Sequence, residues 1–387
     1  MQPSVFIVGP CAAESEQQLR EAVSVLKHYS DSHHLQDRGF RLIFRAGVWK
    51  PRTRPGNFEG VGEKALRWLA DIEREYGIEV ATEVATQEQV RLALSYGLHC
   101  LWIGARTTTN PFIVQQIADA INGQVLTLLV KNPVSPDLGL WEGAIQRLGA
   151  VVGTDNVMAV HRGFNSTPVV ARHSYASYHV KNHISTISAY RNSPQWAVAL
   201  ALKKHFPDLP LLLDPSHLSG KAEAVTALSK QALEMGYNGL MIEFHPDPPS
   251  ALSDKNQQLS PAQLKDLLMT LFPITNANTS HPVAMSPLAY SPNPALASPE
   301  LAALRAQMDE IDDRLWQLVA ERMNLSKKIG EYKKRNNIQV LQTARWQDVV
   351  TGRLQWASEQ GLSEENVMQI LEALHNESQR VQESLRQ

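Results

Sequence analysis

Within the first 272 residues, short runs of β-type residues recur eight times, alternating with longer amphipathic stretches. The strand candidates are Val5–Val8, Leu42–Arg45, Glu79–Thr82, Cys100–Ile103, Val125–Val130, Val157–Val160, Leu211–Leu213 and Leu240–Ile242. Helical patterns lie between them, for example at Glu16–Tyr29, Gly62–Tyr76, Gln87–Tyr96, Phe112–Ile121, Gln195–His205 and Ala222–Met235. Eight evenly spaced strand-and-helix units predict an α/β fold of the (β/α)8 TIM-barrel type. A doubly wound open sheet is the alternative, which the regular spacing of eight units disfavours.

In such a barrel all eight strand ends converge on one mouth, where active sites of this fold lie. Here they are Gly9–Ser15, Arg45–Gly47, Thr82–Glu83, Gly104–Arg106, Lys131–Pro133, His161–Gly163, Asp214–His217 and Glu243–Pro246. Almost every one stops at a charged or metal-capable residue. The basic set, Arg45, Lys50, Arg52, Arg106, Lys131 and Arg162, would crowd about six positive charges into one cleft, which is unfavourable without anions to bind; phosphates and carboxylates are the natural guests. Lys50, among other cations, is expected to have a lowered pKa and to serve in proton transfer. Cys11, His217, Glu243 and Asp254 are the metal candidates, a donor set of mixed softness suited to Mn, Fe, Co or Zn. His161 and His245 are rival ligands by chemistry alone.

Composition narrows the class. Lys and Arg number 37 against 39 Asp and Glu, so no global basic field points to nucleic acid. No apolar run reaches the roughly 18 residues of a membrane helix, and the N-terminus has neither a charged n-region nor a long apolar stretch. With only two cysteines, Cys11 and Cys100, a disulfide framework is not expected and a reducing cytoplasm is the natural compartment.

Gly-Pro-Cys-Ala-Ala-Glu-Ser (9–15), Lys-Pro-Arg-Thr (50–53), Ile-Gly-Ala-Arg (103–106), Asp-Pro-Ser-His (214–217) and Glu-Phe-His-Pro (243–246) with the Ala-Leu-Ser-Asp and Gln-Gln-Leu that follow occur in this order. Together they resemble the 3-deoxy-D-arabino-heptulosonate 7-phosphate (DAHP) synthases, of the small type related to 3-deoxy-octulosonate 8-phosphate synthases. The resemblance covers residues 1–272. It implies condensation of phosphoenolpyruvate with erythrose 4-phosphate around a divalent metal held by Cys11, His217, Glu243 and Asp254. Arg106, Lys131 and Arg162 would hold phosphoenolpyruvate, with Arg45 and Lys50 near its reacting end, while Arg52 and Thr53 would take the sugar phosphate. Lys-Pro-Arg-Thr marks the erythrose 4-phosphate enzyme and disfavours an octulosonate synthase. The loop after the fifth strand, residues 132–136, departs from the glycine-rich form of the family.

Residues 273–298, with five prolines among Ser, Asn, Thr and Ala, read as an inter-domain linker. Residues 299–387 carry three helical stretches: one from Pro299, with Ser298 as N-cap, to about Arg335, then Ala344–Glu359 and Glu364–Leu385. The first would be roughly 55 Å long, more than a compact segment of this size can cover, so a partner chain is expected. Arg322 and Lys333 share one face, and Arg305 lies about a quarter-turn away.

With Arg345, Ser378 and Gln382, these residues resemble the all-helical chorismate mutases. The resemblance implies that Arg322, Lys333 and Arg345 grip chorismate, Ser378 and Gln382 complete the pocket, and Arg305 arrives from the other subunit of a homodimer. Gln342 and Trp346 stand where the family pattern has Asp and Glu contacting the substrate hydroxyl. The expectation is a bifunctional shikimate-pathway enzyme, synthase plus mutase, inhibited through the helical segment by prephenate or chorismate. The alternative is a synthase whose helices only dimerise and sense a ligand.

Overall fold

Runs such as Val-Phe-Ile-Val-Gly and Leu-Leu-Leu have no polar face, as expected for strands covered on both sides. In a computed structural model of the protein, which describes residues 5–50, 56–165, 190–272, 299–340 and 342–385, they form a closed parallel barrel. Contacts divide the chain into two units, Met1–Leu288 and Ala289–Gln387.

The barrel strands are β1 (Val5–Gly9), β2 (Arg41–Arg45), β3 (Glu79–Val84), β4 (Cys100–Ile103), β5 (Thr127–Lys131), β6 (Val157–His161), β7 (Leu211–Leu213) and β8 (Gly239–Glu243). Each pairs with the next, and β8 closes on β1 with Gly9 opposite Glu243. The described helices of this unit are α1 (Glu16–Ser32), α2 (Glu63–Tyr76), α3 (Gln87–Ser95), α4 (Ala105–Thr108), α5 (Pro111–Ile121), α6 (Leu138–Val152), α7 (Trp196–His205), α8 (Pro215–Ser219), α9 (Ala222–Glu234) and α10 (Pro261–Leu271). Their starts are locally encoded: Ser15, Thr86 and Asp137 accept backbone N–H groups three residues on, and Ser260 with Gln263 forms a capping box. The fifth strand begins at Thr127 rather than Val125, whose side chain is exposed.

Side chains alternate across each strand. One set, including Phe6, Val80, Leu128 and Ile242, packs against the helices. The other, Val5, Ile7, Ile43, Ala81, Cys100, Trp102, Leu129, Met158, Val160, Leu212 and Met241, fills the barrel interior. Two residues further along, the same alternation brings Arg45, Glu83, Lys131, Arg162, Asp214 and Glu243 to the C-terminal layer. Gly104 occupies that layer on β4, and a Cβ there would collide with Glu83 Oε1. The layer of charges is thus a consequence of strand parity.

The second unit comprises α11 (Pro299–Arg335), α12 (Thr343–Glu359) and α13 (Glu364–Ser384). Gly330 lets α11 approach α13 closely, since a Cβ would stand 2.9 Å from Gln382 Cγ. The apolar stripe of α11, including Leu304, Met308, Ile311, Leu315 and Leu318, is more than half exposed in the single chain. Among the described residues, no helix is long and apolar enough to cross a membrane. The linker and Ser298 lie outside the described residues.

Candidate active sites

At the barrel mouth, a cavity of about 700 Å³ is lined by Lys50, Arg106, Lys131, Arg162, His217 and Asp254, together with Glu83 and Arg191. The basic residues are not the uncompensated cluster expected from the strand ends. Arg45, wholly buried, donates from Nη2 to Glu243 Oε1 at 3.0 Å and lies 4.7 Å from the Trp102 ring centre. Lys131 Nζ is 2.8 Å from Asp214 Oδ2, and Arg191 Nη1 is 2.9 Å from Asp254 Oδ1. Carboxylates from β7, β8 and the loop beyond β8 therefore answer cations from β2, β5 and the approach to β7, as buried charges require. Arg162 Nη1 donates to Asn192 Oδ1 at 3.3 Å. Burial pushes its guanidinium down to about 10, helped by Arg191 and Arg106 and opposed by Asp214. Arg52 and Thr53 lie outside the described residues.

The four metal candidates converge as two touching pairs. Cys11 is buried, its Sγ donating to Asp254 Oδ2 at 3.3 Å, and His217 Nε2 is 3.5 Å from Glu243 Oε1. The pairs feel each other: burial, Glu243 and Asp254 push the Cys11 thiol up to about 12 against Lys50 and Arg45. Asp254 sits in the left-handed region at φ 47°, and its carboxyl is held well below the usual range by His217, Arg191 and Lys50 despite burial. Among the described residues, no three of these side chains already close up into a metal cage. Their chemistry nonetheless fits a divalent cation. A thiol flanked by two carboxylates is kept protonated by their negative field, and a cation there would reverse that field and free the thiolate.

Lys50 corrects the sequence-based expectation. Its ammonium lies 3.1 Å from both Cys11 Sγ and Cys11 O. Burial alone would lower its pKa and Arg45 works the same way, but Cys11, Glu83 and Glu243 outweigh them, so the pKa is raised. Of the two lysines lining the cavity, Lys131 is the one whose pKa falls, because burial and Arg45 exceed the pull of Asp214 and Glu83.

The rival histidines stand apart. His161 is buried among Trp141, Phe164, Trp196 and Tyr237, with Nδ1 2.9 Å from the Tyr237 hydroxyl. His245 Nδ1 accepts the Asp247 N–H, closing its own turn.

Residues to which the sequence assigned no role complete the layer. Asp214 takes the Lys131 ammonium and also lies 2.8 Å from His217 Nδ1, while its other oxygen caps the His217 N–H. A carboxylate three residues before a histidine at a helix start was a usable signal. Gln257 donates to Glu243 Oε2 at 2.7 Å, and Gln258 accepts the Cys11 N–H at 2.9 Å. Arg191 and Asn192 had no local signal. In the loop after β5, buried Asn132 accepts the Arg162 N–H and Val134 lines the cavity.

In the helical unit, Arg322 Nη1 donates to Ser378 Oγ at 2.6 Å and to Leu374 O at 2.9 Å. Gln382 Nε2 donates to Ser326 Oγ at 3.0 Å, while its buried Oε1 has no hydrogen-bond partner among the described residues. Lys333 is buried on the same helix and reaches Val340 O at 2.7 Å. Arg305 and Arg345 have exposed side chains. Trp346 stacks on His375, ring centres 3.9 Å apart and planes 23° from parallel. Burial, Arg322 and Lys333 all push the His375 imidazolium pKa down.

The DAHP synthetase I family model matches residues 2–277, and the chorismate mutase type II model matches residues 304–383. The chain is 28% identical over 272 residues to phospho-2-dehydro-3-deoxyheptonate aldolase of Thermotoga maritima, covering 70% of each chain. It is 30% identical over 291 residues to 2-dehydro-3-deoxyphosphooctonate aldolase of Desulfotalea psychrophila, covering 71% of this chain and 91% of that one. Among solved structures, the Thermotoga maritima DAHP synthase superposes with a TM-score of 0.54 at 25% identity, over 69% of this chain and 67% of that one.

Proposed function

The chain belongs to the DAHP synthetase I family and carries a chorismate mutase type II segment, and we propose that its barrel joins phosphoenolpyruvate to erythrose 4-phosphate while its helices rearrange chorismate to prephenate. The observation that carries the synthase reading is the meeting of Cys11, Lys50, His217, Glu243 and Asp254 beside a cationic cavity. Arg106, Lys131 and Arg162 bind the phosphate and carboxylate of phosphoenolpyruvate, the two guanidinium forks suiting both anions and the Lys131 ammonium adding a point charge. Cys11, His217, Glu243 and Asp254 would hold the divalent metal (Mn, Fe, Co or Zn), with Asp214 orienting His217 through its other ring nitrogen. When bound, that metal supplies Lewis acidity toward the aldehyde oxygen.

The methylene carbon of phosphoenolpyruvate forms the new carbon–carbon bond to the aldehyde carbon, and the aldehyde oxygen takes a proton. The enol π pair spent on that bond leaves the adjacent, phosphate-bearing carbon cationic. Water adds there and loses a proton, and the new hydroxyl collapses to the ketone, its proton leaving as the C–O bond to phosphate breaks and inorganic phosphate departs. Lys50, kept charged by its raised pKa, is the donor for the aldehyde oxygen. Arg45, anchored on Glu243, would stand near the reacting end, its Nε and Nη1 having no hydrogen-bond partner among the described residues. Arg52 and Thr53 take the sugar phosphate. Preference for erythrose 4-phosphate over arabinose 5-phosphate rests on the Lys-Pro-Arg-Thr sequence at 50–53, and competition between the two sugars tests it.

For the mutase, Arg322, Lys333 and Arg345 hold the carboxylates and ether oxygen, with Arg305 supplied by a second copy in a homodimer built on the exposed stripe of α11. Ser378 and Gln382 would complete the pocket around the ether oxygen, where negative charge develops. The rearrangement needs only a compact conformer and that stabilisation. Prephenate or chorismate bound here inhibits the barrel, coupling the two sites by linkage, in a cytoplasmic enzyme. A synthase with a purely sensing helical unit is the second reading, favoured by Gln342 and Trp346. Direct mutase assay of the full chain separates the two, since the second reading requires chorismate binding without turnover.

A further inference from the structure

The family pattern for the helical unit places carboxylates where this chain has Gln342 and Trp346, so the ring hydroxyl of the substrate lacks its usual acceptor. The structure shows what stands near instead. On α13, His375 precedes Ser378 by three residues and Gln382 by seven, which puts all of them on one face. Ser378 takes the Arg322 guanidinium at 2.6 Å, and both Arg322 and Lys333 act electrostatically on His375. The imidazole therefore lies within electrostatic reach of the two cations that would hold the substrate's carboxylates. Trp346, the residue after Arg345, reaches across from α12 and lies flat on that imidazole, centres 3.9 Å apart.

We propose that Trp346 and His375 together recognise the ring hydroxyl of the mutase substrate, with His375 making the hydrogen bond and Trp346 holding its ring in place. The inference rests on the mutase reading above. An uncharged imidazole offers one donor and one acceptor, which suits a hydroxyl that can both give and take a hydrogen bond. The depressed pKa of His375 keeps it in that form at neutral pH. Stacking fixes the ring plane at little entropic loss, because an aromatic side chain has few torsions to freeze. Indole has no acceptor, so Trp346 cannot replace the missing carboxylate alone.

The test compares chorismate with an analogue lacking the ring hydroxyl, using the full chain and its His375→Ala, His375→Gln and Trp346→Phe variants. His375→Ala is expected to lose about tenfold or more in kcat/KM on chorismate and less than about twofold on the analogue. His375→Gln, which keeps a donor and an acceptor, is expected to recover most of the loss, and Trp346→Phe, which keeps the stack, to stay within about threefold of the unaltered chain. Synthase activity and helical content of each variant serve as folding controls. As a measurement free of any variant, the imidazole nitrogen signals of His375 are expected to move on adding chorismate and to stay in place with the analogue.

An equal loss on both substrates would show that His375 serves packing or the carboxylates, and would overturn the proposal. An unaltered kcat/KM in His375→Ala would do the same while leaving the mutase reading intact. A full chain that neither binds nor turns over chorismate would overturn both together.

Discussion

Asp214→Asn removes one charge from the buried layer while preserving shape and the cap on the His217 N–H. In the native barrel this carboxylate, wholly buried, meets Lys131 Nζ at 2.8 Å and His217 Nδ1 at 2.8 Å. Its loss leaves Lys131 beside Arg45 with only the weaker pull of Glu83. Breaking a buried pair in this way costs about 3–5 kcal/mol. A second route to the magnitude gives a ceiling of similar size. Lys131 can escape by losing its proton, and neutralising an ordinary lysine at pH 7 costs at most about 5 kcal/mol, at 1.36 per pKa unit. At about 2–4 °C per kcal/mol for a domain of this class, the barrel's unfolding temperature should fall by roughly 6–20 °C. Thermal unfolding followed by tryptophan fluorescence measures this, with mutase activity reporting the helical unit separately. The KM for phosphoenolpyruvate should rise as well. Pairing Asp214→Leu with Lys131→Met should recover much of the stability and none of the synthase activity, because an apolar pair needs no compensation. A shift under about 2 °C for Asp214→Asn would refute the claim that Lys131 and His217 depend on this carboxylate.

Further outcomes are expected elsewhere in the chain. Arg322→Ala should abolish mutase turnover, by about a hundredfold or more, while synthase turnover in the same sample stays within about twofold. Burial pushes the His161 imidazolium down to about 4, against a weak opposing pull from the Pro194 carbonyl. The unfolded chain therefore binds the proton first as pH falls from about 6.5, and stability is present above 6.5 and lost toward pH 4. The loss is about 3 kcal/mol for 2.5 pKa units, and His161→Phe should flatten that part of the pH–stability curve. Prephenate or chorismate should inhibit the synthase of the full chain, and inhibition unchanged in Arg322→Ala would place the effector elsewhere.

The barrel was legible because both its signals are local. β-type runs bounded by turn residues set the strands, and parity along each strand decides which side chain points inward, so Arg45, Lys131 and Glu243 could be placed at the mouth from the sequence. Compensation was not legible. Glu243, which raises the Lys50 pKa, lies on the last strand, and Glu83 lies on the third; their proximity to Lys50 is a product of barrel closure. The same holds for Arg191, which meets Asp254 across a long sequence separation. In the helical unit the periodicity of α11 predicted its length and apolar stripe. His375 carried no signal until α12 and α13 were brought together by the Trp346 stack.

The reading proposed above gives one chain a metal-dependent synthase and a metal-independent mutase. Both activities measured in one preparation of the full chain, before and after exhaustive removal of metal, test it most directly. Synthase activity is expected to disappear on demetallation, to return with added divalent metal, and to be absent in Cys11→Ala even with metal present, while mutase activity is unchanged throughout. Full synthase activity in the demetallated chain, or no mutase activity in either state, would contradict it.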